Sequence, residues 1–257
     1  MKKSFSLIEL IIVIIIVGIL YSTVSFSLSN TSLNQAADQI ISHINYTRHL
    51  ALKDNKMQYY PINNTNTETN RSKYWFKQWW HLKITDVNNS DGDRDIIYYI
   101  FSDSPTQSNS TMFNKITTGS GQHKKELAIN PLNSKYFIGA SKEETNNVQY
   151  PIEEKITKQL NLTKTYNIQK IILENGYSSS SMQNNKGDRI DLLFDNYGNI
   201  YMSEGDKGDN NDINPYDEDK RIALLKTAKI ILCQDSNCDI NISICLSPKI
   251  GNAYLCK

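Results

Sequence analysis

Glycine and proline are scarce in this chain of 257 residues, which has 11 glycines and 6 prolines. The chain also lacks an excess of charge of either sign, because 28 lysines and arginines balance 27 aspartates and glutamates to a formal net charge of +1 at pH 7. Such a balanced surface offers no strong field to attract nucleic acid or anionic lipid. The sequence further lacks a nucleophile elbow, a P-loop, an HExxH helix and a dinucleotide-binding fingerprint. We therefore predict that the protein is not an enzyme.

Cysteine is absent from most of the chain, and all four cysteines lie near the C-terminus. They are Cys233, Cys238, Cys245 and Cys256. An even, clustered set downstream of an apolar N-terminal segment favours disulfides. Zinc is the weaker interpretation because the set has no C-x2-C pair and no histidine nearby. Of the three connectivities that four cysteines allow, we favour Cys233–Cys238 with Cys245–Cys256, since each would close a local loop.

One long apolar run is present, in the opening sequence MKKSFSLIELIIVIIIVGIL. No polar side chain occurs within Leu10–Leu20, and a milder stretch continues towards Leu28. The run is about long enough to cross hydrocarbon as a helix of ~20 residues, and the lysines before it would hold its start in the cytoplasm. Glu9 interrupts the run. A charge at mid-bilayer costs about 2.5–3.5 kcal/mol or more, so we interpret Glu9 as a functional residue.

The stretch KKSFSLIELIIVIIIVGIL resembles the class III signal of type IV prepilins and pseudopilins, in which a basic leader precedes a Phe-Thr-Leu-Ile-Glu-Leu-like block. The resemblance implies that a prepilin peptidase cuts between Ser4 and Phe5 and methylates the new Phe5 amine. The family usually has glycine at the position of Ser4. Glu9 would then be an assembly residue whose partner is a Phe5 amine, since a buried charge is tolerated only when it is paired.

The next segment, SLNQAADQIISHINYTRHLALKDNK, has apolar or small residues at helical spacing. These are Leu33, Ala37, Ile40, Ile44, Thr47 and Ala51, with Ala36, Ile41 and Leu50 beside them. The opposite face carries Asn34, Asp38, Ser42 and Lys53. The pattern predicts a helix that packs on a sheet. A coiled-coil partner is the lesser alternative, because the repeat is short.

The same segment resembles GspH/FimT-type minor pseudopilins, in which a small-residue helix leads to an Ala-Arg-x-x-Ala-like turn. Arg48 and Ala51 match that turn, and Thr47 replaces its first alanine. We expect Arg48 to cap the helix or to pair with a carboxylate. His43 and His49 lie on different faces of the predicted helix, which argues against a catalytic pair.

Two apolar stretches, WWHLKIT and IIYYIFS, flank the turn-rich sequence DVNNSDGDRD and predict a β-hairpin. Its resemblance to the GspH/FimT pattern rests on Trp80, Asp86, Asn88, Gly92 and Asp95. Asp86, Asn88, Ser90 and Asp95 resemble alternating oxygen ligands for calcium. Calcium at this tip is a minor alternative to Asx-rich turns, because the loop lacks the glycine and glutamate spacing of an EF-hand.

A second acidic segment, GDKGDNNDINPYDEDK, is the better calcium candidate, through Asp206, Asp209, Asp212 and Asp217. We expect no required cofactor, with calcium as the one open candidate. Further strands are predicted in RIDLLFDNYGNIYM, around a turn at Asn196–Gly198, and as three short apolar runs near the C-terminus. The segment EEKITKQLNLTKTYNIQKIILENG predicts an amphipathic helix.

These observations predict an α+β fold, with a long N-terminal helix packed on an antiparallel β-sheet head and a disulfide-pinned C-terminus. Together with the resemblance they divide the chain into a leader at 1–4, a transmembrane half-helix at 5–28, a periplasmic half-helix at 29–56 and a β-rich periplasmic head at 57–257. An insertion at about 103–187 would decorate the head. The implied location is the inner membrane, with the N-terminus cytoplasmic.

The function that the resemblance implies is that of a minor pseudopilin, a non-enzymatic subunit that joins or primes a periplasmic pseudopilus or type IV pilus-like fibre for type II protein secretion. Its implied partners are other pilins or pseudopilins, the prepilin peptidase, the inner-membrane assembly platform, and an exoprotein or DNA cargo. Two alternatives stay open: a minor pilin of a type IV pilus or competence (DNA-uptake) system, and a membrane-anchored periplasmic binding module.

Overall fold

The computed structural model describes residues 7–54, 76, 78–88, 94–102, 127–139, 157–174, 179–183, 189–203, 221–224 and 226–256. The predicted cleavage and methylation positions, Ser4 and Phe5, lie outside these ranges. So do the four aspartates of the second calcium prediction, which are Asp206, Asp209, Asp212 and Asp217.

Helix α1, Leu7–Lys53, is 47 residues long and begins the described chain. Its C-terminal half buries the predicted apolar stripe, whose members are Leu33, Ala36, Ala37, Ile40, Ile44, Thr47 and Ala51. The opposite face is exposed at Asn34, Asp38 and Ser42. Residues three and four apart share one helix face, so the helix packs against the rest of the protein through this apolar face. The predicted packing of this segment is confirmed.

The first part of α1 has a different environment. Its apolar side chains from Leu7 to Leu20 are between 47% and 76% exposed. Within the described residues, no helix combines the length and the apolar content that a membrane crossing requires. The transmembrane half-helix at 5–28 therefore stays a prediction.

The described strands form two antiparallel sheets of five strands each. The first sheet has the order β2-β1-β5-β6-β7 and contains β1 (Trp80–Asn88), β2 (Arg94–Ser102), β5 (Arg189–Phe194), β6 (Ile200–Ser203) and β7 (Arg221–Ala223). The second sheet has the order β10-β9-β8-β3-β4 and contains β3 (Lys170–Glu174), β4 (Ser179–Gln183), β8 (Ala228–Cys233), β9 (Asn241–Leu246) and β10 (Ala253–Leu255). The predicted α+β architecture with antiparallel sheets is confirmed.

Three sequence-predicted strand groups occur where the patterns placed them. Strands β1 and β2 pair from Trp80 opposite Ser102 to Asn88 opposite Arg94. Strands β5 and β6 pair around a turn in which Gly198 has a φ of 74°. This left-handed conformation favours glycine because glycine has no Cβ. The three C-terminal runs form β8, β9 and β10.

A single hydrophobic core joins α1 to both sheets. It includes Ile40 of the helix, Leu82 and Phe194 of the first sheet, and Ile230 and Ile244 of the second, none of which has any exposed side-chain surface. The helix thus serves as the common packing partner of the two sheets, which positions its C-terminal half firmly in the head.

The predicted amphipathic helix across EEKITKQLNLTKTYNIQKIILENG is wrong. A 3-10 helix, Lys158–Leu160, and a short helix α2, Leu162–Tyr166, are followed by strand β3. Helix α2 ends because Asn167 adopts the left-handed conformation, with a φ of 57°, and its N–H bonds back to the helix carbonyls. Strand β3 then pairs with both β8 and β4, so this part of the 103–187 segment builds the second sheet rather than decorating it.

The same segment covers one edge of the first sheet. Isolated bridges join Phe101 to Leu127 and Ile97 to Asn161, and the Ile96 N–H donates to the Thr163 hydroxyl at 2.9 Å. An exposed edge strand is a template for unwanted pairing, and covering it satisfies its backbone groups. Strand β2 is thus the edge strand of its sheet, but its outer backbone groups are partly paired by this segment.

Two disulfides brace the C-terminal strands. Cys233 bonds Cys238 across the turn between β8 and β9, with Cα atoms 4.9 Å apart. Cys245 of β9 bonds Cys256, with Cα atoms 5.1 Å apart. This pairing is the one that the sequence favoured.

Candidate functional site

Glu9 lies in the first turn of the described part of α1, among exposed apolar side chains. Ile8 and Leu10 beside it are 64% and 55% exposed. Exposed apolar surface of this extent is typical of a segment that contacts a membrane or other chains. The described end of α1 therefore combines a long apolar surface with one acidic group.

The head holds the other half of α1 through a partly buried hydrogen-bond network of four side chains, Gln39, His43, Tyr98 and Tyr166. Gln39 Nε2 donates to the Tyr98 hydroxyl at 2.6 Å, and the Tyr166 hydroxyl donates to Gln39 Oε1 at 2.6 Å. His43 Nδ1 lies 2.7 Å from the same Tyr98 hydroxyl. The network joins the helix to strand β2 and to α2. It therefore fixes both the rotation of α1 about its axis and its position along that axis relative to the head.

The protonation states in this network follow from burial. Burial lowers the pKa of His43 to about 4 and raises the pKa of Tyr98, so both side chains are neutral at pH 7. Because the Tyr98 hydroxyl accepts a hydrogen from Gln39, its own hydrogen is available for His43 Nδ1. We therefore assign the neutral His43 proton to Nε2.

Further polar contacts join α1 to the head at other positions along the helix. Gln234 Nε2 donates to the Ser32 hydroxyl at 2.8 Å. The Asn45 side chain bonds both backbone groups of one residue in β10, as donor to the Ala253 carbonyl at 3.2 Å and as acceptor from the Ala253 N–H at 3.0 Å. Near the helix end, Trp80 Nε1 donates to Asp54 Oδ2 at 3.1 Å. Polar contacts between α1 and the head therefore occur along the whole length of the buried stripe.

The hairpin aspartates that suggested calcium face protein cations. Asp86 Oδ2 lies 3.2 Å from an Arg94 guanidinium nitrogen, and Asp95 Oδ2 lies 3.0 Å from Lys164 Nζ. Asp86 is opposite Ile96 in the register, so Asp86 and the adjacent β2 residue Asp95 point to opposite faces of the hairpin. The two carboxylates cannot share one ion in this arrangement.

Within the described ranges, no group of three or more His, Cys, Asp or Glu side chains is arranged to hold a metal ion. His43 is buried and His49 is exposed on the same helix, so the structure does not bring them together. Arg48 lies against Gly198 of the β5–β6 turn, and its Nε has no hydrogen-bond partner among the described residues.

Sequence reasoning missed the polar network around Tyr98. Its only signal was a histidine and a threonine at positions of the apolar helix stripe, where polar side chains need buried partners. Tyr98 and Tyr166 come from distant segments, so no local spacing connects them to the helix. The partners of Gln39 could not be identified without the fold.

Comparison with known protein families, curated proteins and solved structures gives no match.

Proposed function

We propose that this protein is a minor pseudopilin, a non-enzymatic subunit that joins or primes a periplasmic pseudopilus or type IV pilus-like fibre for type II protein secretion. The observation that carries the proposal is the two-part character of α1. One continuous helix of 47 residues buries a stripe in the head at its C-terminal end and exposes an apolar surface at its N-terminal end.

The exposed end supplies the driving force for membrane insertion and for helix association. Removing apolar surface from water is worth about 25 cal/mol per Å², so the side chains of Leu7–Leu20 favour lipid or neighbouring helices. Glu9 makes this preference selective, because a carboxylate in an apolar environment is stabilised by a cationic partner. In the proposed fibre that partner is the methylated Phe5 amine of a neighbouring subunit or of the same chain.

The seated end supports the same role. The Gln39–Tyr98 and Asn45–Ala253 contacts hold the head in one orientation on the helix. A subunit that enters a helical fibre needs a fixed orientation between head and helix, because a head that rotated on its helix would clash with neighbouring subunits. The proposed location is the inner membrane with the head in the periplasm, and the proposed partners are other pilins, the prepilin peptidase and the assembly platform.

Intact-mass analysis of the membrane-extracted protein, combined with crosslinking to other fibre subunits, tests the proposal. We expect a chain that starts at Phe5 and carries one methyl group. Glu9→Ala should abolish the crosslinks, whereas Asp38→Ala should retain them, since Asp38 is another exposed acidic residue on α1. A chain that still begins at Met1, or crosslinks that persist in Glu9→Ala, would overturn the proposal.

The fibre system is tested separately in a deletion strain. We expect loss of exoprotein secretion with retention of DNA uptake, and restoration of secretion by the wild-type gene. Loss of DNA uptake alone would contradict the secretion role and support a competence pilus instead.

A further inference from the structure

Each disulfide of the head lies next to a contact between the second sheet and helix α1. The Cys233–Cys238 bond closes the β8–β9 turn, and Gln234 is the first residue of that turn. Gln234 is only 5% exposed, and its side chain donates both to the Ser32 hydroxyl of α1 and to the Tyr166 carbonyl. The disulfide therefore restrains the residue that makes this contact.

The second disulfide has the same relationship to Asn45. The Cys245–Cys256 bond joins β9 to the end of β10, the three-residue strand that contains Ala253. Among the described strands β10 pairs with β9 alone, and its Ala253 backbone groups bond the Asn45 side chain. A three-residue edge strand is held by few backbone hydrogen bonds and opens easily, and here the disulfide adds a covalent restraint.

The contacts of the first sheet with α1 involve no cysteine. Tyr98 of β2 bonds Gln39 and His43, and Trp80 of β1 bonds Asp54. The joint between the helix and the head thus has one part that depends on disulfides and one part that does not.

We propose that the two disulfides form a redox-sensitive latch, which holds the β8–β9 turn and strand β10 on α1 when oxidised and releases their contacts with Ser32 and Asn45 when a dithiol reduces it. Release leaves the first sheet seated on the helix. The change is local, because the two groups of contacts come from different sheets.

The reduction chemistry is set by which sulfur can be reached. Cys238 and Cys256 are partly exposed, whereas Cys233 is fully buried and Cys245 is 7% exposed. A dithiol thiolate attacks the accessible sulfur, the disulfide breaks, and the buried cysteine leaves as a thiolate that takes up a proton. The second thiol of the reductant then attacks the mixed disulfide and frees the other cysteine. Each cycle transfers two electrons and two protons and leaves the reductant as its own cyclic disulfide.

Amide hydrogen exchange on the full chain in detergent, with and without dithiothreitol, tests the latch. We expect reduction to raise exchange about tenfold or more in peptides that cover Ala253 and Ser32, with no change in β1, β2 and the Gln39–His43 turn of α1. Uniform acceleration that includes β1 and β2 would overturn the proposal, because it would mean that the disulfides support global stability only. Unchanged exchange at Ala253 would overturn it as well.

Variants separate the latch from general destabilisation. The pair Cys245→Ser and Cys256→Ser should reproduce the effect of reduction at Ala253 but not at Ser32. With both disulfides intact, Asn45→Ala should accelerate Ala253 exchange, and reduction should then add little there. Asn34→Ala, at an exposed asparagine of the same helix, should leave exchange at Ala253 at the wild-type rate. Additive effects of Asn45→Ala and reduction would contradict the coupling.

Discussion

The Nδ1 atom of His43 lies 2.7 Å from the Tyr98 hydroxyl and so joins helix α1 to strand β2 across 55 residues of sequence. His43 is 7% exposed and Tyr98 is fully buried. The same hydroxyl accepts a hydrogen from Gln39 Nε2. The Tyr98 hydroxyl is therefore placed to donate to Nδ1 of a neutral His43. Protonation of His43 would direct two donors at one hydroxyl and put a charge in the core.

The stability of the head should consequently fall in mild acid. Burial lowers the pKa of His43 from 6.5 to about 4, so between these values the unfolded chain binds a proton that the folded chain does not. The contribution of the neutral form is complete above pH 6.5 and is lost as the pH falls towards 4. We expect the free energy of unfolding to drop by about 2 kcal/mol between pH 7 and pH 5 from this group. Urea unfolding of the full chain at both values measures it.

Two variants isolate His43 in that experiment. His43→Gln carries no titrating ring, so its stability should depend less on pH over the same interval. His49→Gln, at the exposed histidine of the same helix, should follow the wild-type curve. Equal pH dependence in His43→Gln and the wild type would contradict the assignment.

Tyr98→Phe should destabilise the head while keeping its shape. The substitution removes the hydroxyl that Gln39 and His43 both use, and leaves buried polar groups with fewer partners. We expect a loss of about 1–3 kcal/mol in the free energy of unfolding. Tyr254→Phe is the matched control because Tyr254 is 46% exposed. A loss of equal size in both variants would rule out a special role for the Tyr98 hydroxyl.

Local periodicity was sufficient for much of this fold. The stripe on α1 was predicted because Leu33, Ile40 and Ile44 repeat on one helix face, and a helix buries that face whatever it packs against. The β1–β2 hairpin was predicted because its two strands and their turn are adjacent in sequence. The cysteine pairing was favoured for the same reason, since each bond closes a short loop.

Non-local pairing explains what the sequence could not provide. The run after Tyr166 has apolar residues at spacings compatible with a helix, but Ile171 and Leu173 are buried alternately on strand β3. That choice depends on β8, about sixty positions away, and on the left-handed Asn167 that ends α2. The candidate surface at Glu9 was predictable from its residues, whereas the polar joint around Tyr98 required three distant segments to meet.

Ile40→Ala should show that the two ends of α1 contribute differently to the head. Ile40 has no exposed surface and belongs to the core shared by both sheets, so truncation leaves a cavity. We expect the free energy of unfolding to fall by about 2–5 kcal/mol. Ile11→Ala, on the exposed part of the same helix at 47% exposure, should change the unfolding of the head by less than about 0.5 kcal/mol. Comparable losses in both would contradict the division of the helix.

Gly251→Ala should destabilise the head. Gly251 has a φ of 70°, and an added Cβ would lie 3.0 Å from Phe194 Cε1 and 3.1 Å from Ile200 Cβ. Both neighbours are buried core residues that cannot move freely. Left-handed strain and overpacking together should cost about 2–4 kcal/mol in urea unfolding. Gly18→Ala is the control, because no described atom outside the adjoining helix backbone lies within 4 Å of its added methyl group. Wild-type stability in Gly251→Ala would mean that the turn before β10 can relax, and would contradict the close packing between this turn and the first sheet.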